Sequence, residues 1–308
     1  MNDGMPQGKR LGWMTLGVFV PVFVVSWIAG IAAGLATRQI GLLLHLSEPV
    51  GHTLSFVGIT AARLIVWVPA THVVLKRRLR DIAFRLHRGW WADLLDGIGI
   101  TALSIGLVFI VSERLGWLMV EGWTWQTTPL GDWLGKVWVS LVINTLVALG
   151  KELIFRAYLL TGLQTAWGRG KALIIMMLVF GLVHLPAYSE QGMQSLTLIY
   201  ALGLAAVIGA MLGLIYLRTG SLWMPMGIHF AWNFVENDVF NLTGDMTNPN
   251  LVGALTRLQG PFALAGNYGN VLVLDTLAFI ILCAAAWLWL RRPANNLRQT
   301  CDPIAINV

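Results

Sequence analysis

The chain has little charge and almost no cysteine. Asp, Glu, Lys and Arg make up only 12% of its 308 residues, whereas 56% of the residues are hydrophobic. Soluble domains usually carry about twice that share of charge, and disordered chains carry few apolar residues, so both classes are excluded. Its two cysteines, Cys283 in an apolar run and Cys301 in a polar tail, offer neither a disulfide framework nor a metal-binding pattern. A membrane protein is the class that remains.

Long apolar stretches recur along the sequence. A helix that spans the hydrocarbon core of a bilayer needs roughly 20 residues, and the chain has room for about eight such helices joined by short connections. The sequence therefore predicts an all-α, polytopic membrane helix bundle. The predicted spans lie near residues 12–36, 54–75, 94–112, 137–160, 172–188, 196–217, 222–240 and 271–290.

The distribution of basic residues predicts the orientation of these spans. If both termini are cytoplasmic, most of the 21 Lys and Arg residues fall in cytoplasmic connections, among them Lys76, Arg77 and Arg78. Basic residues are enriched on the cytoplasmic side of membrane proteins, so we expect both termini there. Residues 81–93, which mix aromatic and basic side chains, predict an interfacial helix on that face, and the loop at 115–135 resembles it on the opposite face.

Few ionisable or strongly polar side chains fall inside the predicted spans. A charge at bilayer depth costs about 2.5–3.5 kcal/mol on insertion scales, so such positions are candidates for function. Glu236 and Asp238 lie near the end of the seventh span, and Asp275 lies near the outer end of the last, where no role is assigned to it. The central candidates are Lys151, Glu152 and Arg156 in the fourth span, His184 in the fifth, and His229 and Asn233 in the seventh.

Helical spacing groups these candidates. Glu152 and Arg156 are four residues apart, so they share a helix face and can form an ion pair. His229 and Asn233 have the same spacing and project together. Pro186 follows His184 closely and Pro225 precedes His229, so each helix should be interrupted or should begin near its histidine. Irregular backbone at membrane depth is tolerated where it lines a wet cavity.

A pocket that joined one carboxylate, two histidines and an amide would suit water activation, with a glutamate as base and an asparagine on the oxyanion. Glu152, His184 and His229 would also suit a zinc ion with an open position. Structural interpretations are equally open: an ion pair within the bundle, a core histidine, and a hydrogen-bonded pair between helices. The spacing alone is compatible with both a transporter and a hydrolase.

Three short motifs carry a resemblance to a known family. The chain reads Lys-Glu-Leu-Ile-Phe-Arg over residues 151–156, Phe-Gly-Leu-Val-His over 180–184 and His-Phe-Ala-Trp-Asn over 229–233. In this order they resemble the EExxFR, FxxxH and HxxxN motifs of the CPBP family, the CAAX protease and bacteriocin-processing (Abi) group that includes the Ras-converting CAAX endopeptidases. The resemblance covers about residues 137–240.

The resemblance implies an all-helical intramembrane protease with a conical cavity. In that family a glutamate and a histidine activate water, and a second histidine with an asparagine holds the oxyanion. By position, His184 would assist the water, His229 and Asn233 would stabilise the tetrahedral intermediate, Arg156 would orient the first-motif carboxylate, and Phe180 would support the site. The implied partners are a peptide or membrane-associated protein and the lipid bilayer, with no nucleic acid. Whether zinc takes part is left open.

One position departs from the family pattern. Lys151 stands where the first glutamate of EExxFR, the expected general base, would be. Glu152 follows it but points roughly 100° around the helix. Three alternatives remain: Glu152 takes over through a local helix distortion, Lys151 acts as a neutral base, or the chain is catalytically silent.

The sequence thus predicts a multi-pass membrane endopeptidase in three parts. Residues 1–136 would form spans one to three with interfacial helices, residues 137–240 the catalytic core of four spans, and residues 241–308 the last loop, the eighth span and a polar tail. The main alternative is a silent relative that acts as a membrane binding, immunity or scaffold protein. A transporter is less well supported, because no paired repeat of broken helices is visible.

Overall fold

The computed structural model describes residues 7–87, 89–190, 193, 195–245, 248, 250–259 and 267–291. Cys301 and the predicted polar tail beyond residue 291 lie outside the described residues.

Helices account for most of the described structure. The apolar runs of the sequence form them because a helix satisfies its backbone hydrogen bonds within one segment, as a lipid environment requires. In chain order the helices are α1 (Gln7–Leu43), α2 (Glu48–Leu75), α3 (Leu79–Ile82), α4 (Trp90–Arg114), α5 (Thr124–Thr127), α6 (Leu130–Trp167), α7 (Arg169–Leu182), α8 (Leu185–Glu190), α9 (Ser195–Thr219), α10 (residues 223–239) and α11 (Asn267–Leu290).

Within the described residues, seven segments are long and apolar enough to cross a membrane. They are α1, α2, α4, α6, α7 with α8, α9 and α11. The predicted seventh span is present as α10, which is shorter than the others and packs most extensively against α4. The prediction of an all-α polytopic bundle is confirmed, whereas the cytoplasmic placement of both termini stays a prediction.

The connections differ from the sequence prediction. Strand β1 (Leu118–Trp123) pairs antiparallel with β2 (Ala254–Leu258), so the loop at 115–135 holds a strand. The prediction of one interfacial helix over 81–93 is wrong: α3 ends at Ile82, residues 84–87 are irregular, and α4 begins after Gly89. Gly89 has a φ of +92°, a left-handed conformation that separates the two helices.

Two helices change their winding next to candidate residues. In α6, a π-helical segment, Leu153–Leu160, follows Glu152 directly. In α10, a π-helical segment, Phe234–Val239, follows Asn233 directly. Such segments rotate the side chains that follow them relative to a regular helix, and they occur frequently at functional sites.

The core holds the first of these segments firmly. Every residue of Leu153–Leu160 is buried, and its aromatic side chains pack against α1 and α2 through Phe19 and Trp67. The prolines act as predicted: α7 ends at Leu182 before His184 and Pro186, and α10 begins at Trp223 just before Pro225.

Candidate active site

The predicted ion pair forms at the centre of the bundle. Arg156 Nη1 donates a hydrogen bond to Glu152 Oε1 over 3.0 Å, and both side chains are 0% exposed. The second guanidinium nitrogen, Nη2, donates to the carbonyl oxygen of Gly209 in α9 over 3.0 Å. Arg156 therefore fixes the carboxylate relative to two helices.

Glu152 also binds the histidine of the third motif. His229 Nδ1 lies 2.7 Å from Glu152 Oε1. A carboxylate oxygen accepts hydrogen bonds, so the Nδ1 proton points at Glu152 and the lone pair of a neutral imidazole resides on Nε2. Among the described residues, Nε2 of His229 has no hydrogen-bond partner, and the residue lines a cavity.

The histidine of the second motif contacts the unusual lysine. His184 Nδ1 lies 2.7 Å from the carbonyl oxygen of Phe180, which can only accept, so Nδ1 carries a proton. Nε2 of His184 is then an acceptor when the ring is neutral, and Lys151 Nζ donates to it over 2.9 Å. The lysine ammonium is thus held at a defined point beside the second histidine.

The Phe180 ring packs against the arginine of the ion pair and against both histidines. It lies under the Arg156 guanidinium, with Cζ 4.5 Å from the ring centroid. The same ring packs 5.0 Å from the ring of His184 and 6.2 Å from that of His229, centroid to centroid. Cation–π contact stabilises the guanidinium in a position that water cannot reach.

A cavity of about 920 Å³ joins these side chains. Residues from all three motifs line it: Lys151, Phe180, His184, His229 and Asn233. Glu152 and Arg156 are not among the lining residues, because they lie behind His229 and Phe180. The structure therefore brings the predicted polar residues together, with the carboxylate reaching the cavity through an imidazole.

Lys151 and Glu152 point in different directions, as their helical spacing predicted. The lysine faces the cavity and the glutamate faces the buried arginine. The regular helix of α6 extends through Glu152, and the π-helical segment starts only at Leu153. The distortion thus begins after the two residues and does not turn Glu152 into the position of Lys151.

Several acidic residues for which the sequence predicted no role also line the cavity. Asp238 is held by donors from Ser140, Asn144 and Asn248. Glu236 and Asp275 lie against each other on the cavity wall. Glu236 is seven residues after His229, a helical spacing that could have indicated the shared face, whereas nothing local indicates that Asp275 joins it.

Glu152, His184 and His229, the residues that would have suited zinc, do not form a metal site in the described residues. Three metal-ligating side chains are not found clustered anywhere in that part of the chain. Glu152 is engaged by Arg156 and His229, and Nε2 of His184 faces the lysine ammonium. A cation at this point would lie against two positively charged side chains, so these residues do not fit a zinc ion.

Comparison with known proteins agrees with the three motifs. Residues 133–235 match the Rce1-like family, which is described as type II CAAX prenyl endopeptidase Rce1-like. The matched stretch contains all three motifs, and the predicted resemblance to the CPBP and CAAX protease family is confirmed. No curated protein and no solved structure matches the chain.

Proposed function

We propose that this chain, which carries the Rce1-like CAAX protease sequence over residues 133–235, is an active intramembrane endopeptidase. The observation that carries the proposal is the convergence of Lys151, His184, His229 and Asn233 on one cavity, with His229 hydrogen-bonded to a buried glutamate. A structural ion pair would need neither the cavity nor a histidine whose second nitrogen faces it.

In the proposed mechanism, His229 is the general base. Glu152 accepts the Nδ1 hydrogen bond and leaves the lone pair of Nε2 directed at the cavity, where it takes a proton from water. The water oxygen bonds to the peptide carbonyl carbon. When the tetrahedral intermediate collapses, His229 returns the proton to the leaving nitrogen as the C–N bond breaks. Glu152 acts as a positioning residue, as the carboxylate does in a catalytic triad.

Lys151 and Asn233 are proposed to stabilise the oxyanion. Both line the cavity, and an ammonium and an amide are donors that can face the negative oxygen of the intermediate. His184 accepts a hydrogen bond from Lys151 and thereby holds the ammonium in place. This assignment exchanges the roles that the resemblance implies for the two histidines, because the expected glutamate base is a lysine here and Glu152 does not line the cavity.

Peptide hydrolysis by the purified protein in lipid nanodiscs tests the proposal. His229→Ala and Glu152→Gln should each lower kcat by about 10²–10⁴-fold, the usual contribution of general base catalysis. His52→Ala, a histidine of α2 that is not among those lining the cavity, is the matched control and should retain parental turnover. Equal turnover by the parent and His229→Ala would overturn the proposed mechanism.

The replacement at position 151 favours one second candidate, a silent relative that binds a membrane peptide without cleaving it. Substituting Lys151→Glu separates the two. If the lysine serves the reaction, the variant loses hydrolysis, because the carboxylate repels the oxyanion and releases His184. A parent without turnover that gains hydrolysis through Lys151→Glu would instead establish the silent alternative.

A further inference from the structure

Two carboxyl groups meet on the cavity wall away from the histidines. Glu236 belongs to the π-helical segment of α10, and Asp275 lies in the first half of α11. Their side chains interact with each other, and both line the cavity. They come from different helices, so the tertiary fold brings them together.

The described part of the chain supplies no hydrogen-bond donor to this pair. Glu236 is only 5% exposed, and Asp275 Oδ1 is buried without a hydrogen-bond partner. Among the described residues, no side chain or backbone N–H donates to either carboxyl group. Asp238, two residues from Glu236, offers a contrast, since Ser140, Asn144 and Asn248 all donate to it.

The chemistry of the pair suits a cation. Ionised carboxyl groups only accept hydrogen bonds, so two of them in contact require a shared proton or a positive group between them. An ammonium or guanidinium group supplies both the charge and several donors, and its binding would displace the shared proton to water. Buried carboxyl groups that the fold leaves without donors are suited to a ligand that brings its own.

The helical spacing gives the distance between the pair and the proposed reacting groups. Glu236 follows His229 by seven residues, which is roughly 10 Å along a helix at about 1.5 Å per residue. An extended peptide covers that distance in about three residues. Lys151 at the histidine end disfavours a second cation there, so a positive side chain is directed to the carboxyl end.

We propose that the Glu236–Asp275 pair is a specificity site that binds the Lys or Arg side chain of a peptide substrate, about three residues from the bond that is cleaved. The inference rests on the proposed protease function. The site would select substrates and would take no part in proton transfer. A group that transfers a proton at the histidines must lie within hydrogen-bond reach of them, about 2.6–3.2 Å.

The experiment compares peptides that differ in one charge. A peptide series carries a single lysine at successive positions, and the matched series carries norleucine, an uncharged residue of similar length. With the parent in nanodiscs, kcat/KM should favour lysine at least 10-fold at one position about three residues from the cleaved bond. The double variant Glu236→Gln/Asp275→Asn should reduce that ratio to about one.

Control variants and a binding measurement distinguish failure of the specificity site from failure of the proposed function. Glu121→Gln removes a carboxylate from β1, away from the residues that line the cavity, and should keep the lysine preference. Either single substitution replaces the double variant if the latter does not fold. A lysine preference that persists in the carboxyl variants, or no preference at any position, would overturn the specificity site.

If the parent cleaves no peptide, the proposed function fails, but the specificity site is still tested by the affinity of the same peptides for the parent. The lysine peptide should then bind at least 10-fold more tightly than its norleucine counterpart, and the carboxyl variants should abolish the difference. Equal affinities of the two peptides for the parent would overturn the site independently of catalysis.

Discussion

At the residue scale, the centre of the molecule depends on one buried arginine. Arg156 donates to Glu152 and to the Gly209 carbonyl, and its face packs on Phe180. These contacts hold the carboxylate that in turn orients His229. A substitution that removes Arg156 and keeps Glu152 therefore measures how much the pair contributes to the free energy of unfolding.

Replacing Arg156→Met should lower the free energy of unfolding by about 3–5 kcal/mol, because the Glu152 charge loses its partner in a buried position. Denaturant unfolding in detergent micelles, followed by tryptophan fluorescence, measures the change. Arg257→Met is the matched control, since that arginine pairs with Glu121 at 64% exposure and should cost at most about 1 kcal/mol. Equal effects of the two substitutions would contradict the central role of Arg156.

The residue-scale pairings that the sequence predicted are local in the chain. Glu152 and Arg156 pair because they are one helical turn apart, and the same periodicity separates the directions of Lys151 and Glu152. The contact between Glu152 and His229 joins residues 77 positions apart. The sequence of either helix alone therefore does not predict it. Asp275 shows the same limit, since only the packing of α11 brings it to Glu236.

At the element scale, α10 lies unusually close to α4. A Cβ atom on Gly227 would lie 2.2 Å from the carbonyl oxygen of Leu94, and one on Gly97 would lie 2.6 Å from that of Met224. The two glycines allow the backbones to approach, as small residues do between membrane helices. His229 is two residues from this crossing, so its position depends on the approach.

Gly227→Ala should force α10 away from α4 and displace His229, which would lower both thermal stability and peptide hydrolysis. Gly99→Ala is the matched control in α4, because no described atom beyond its chain neighbours and the nearby backbone of α4 lies within 4 Å of the Cβ it would add. That control should keep its activity. Its free energy of unfolding should rise by up to about 1 kcal/mol, because alanine has a higher helix propensity than glycine. Unchanged stability in Gly227→Ala would contradict the close crossing.

The long helices followed from the apolar runs, whereas the strand pair did not. β1 and β2 lie more than 130 residues apart in the chain, and each is only five or six residues long. Their pairing depends on backbone hydrogen bonds between distant segments, which leave no periodic signal in short sequences. The π-helical segments were missed for a similar reason, since tertiary packing decides where a helix is widened.

At the scale of the whole molecule, the basic residues predict which side of the membrane each connection faces. Arg78 follows α2, and Thr127 lies beyond α4, so one span separates them. In a chain with Cys283→Ala and Cys301→Ala, single cysteines at these two positions should react with an impermeant thiol reagent from opposite faces. Arg78→Cys should react from the cytoplasmic side. Labelling of both from one side would overturn the predicted topology.

The most direct test of the proposed active site is a structure of the protein with a peptide phosphonate, whose tetrahedral phosphorus stands for the attacked carbon. We expect the phosphonate oxygens to lie in the cavity within about 3.2 Å of His229 Nε2, the Asn233 amide and Lys151 Nζ. An analogue bound outside the cavity, or inside it without contact to His229, would contradict the proposal.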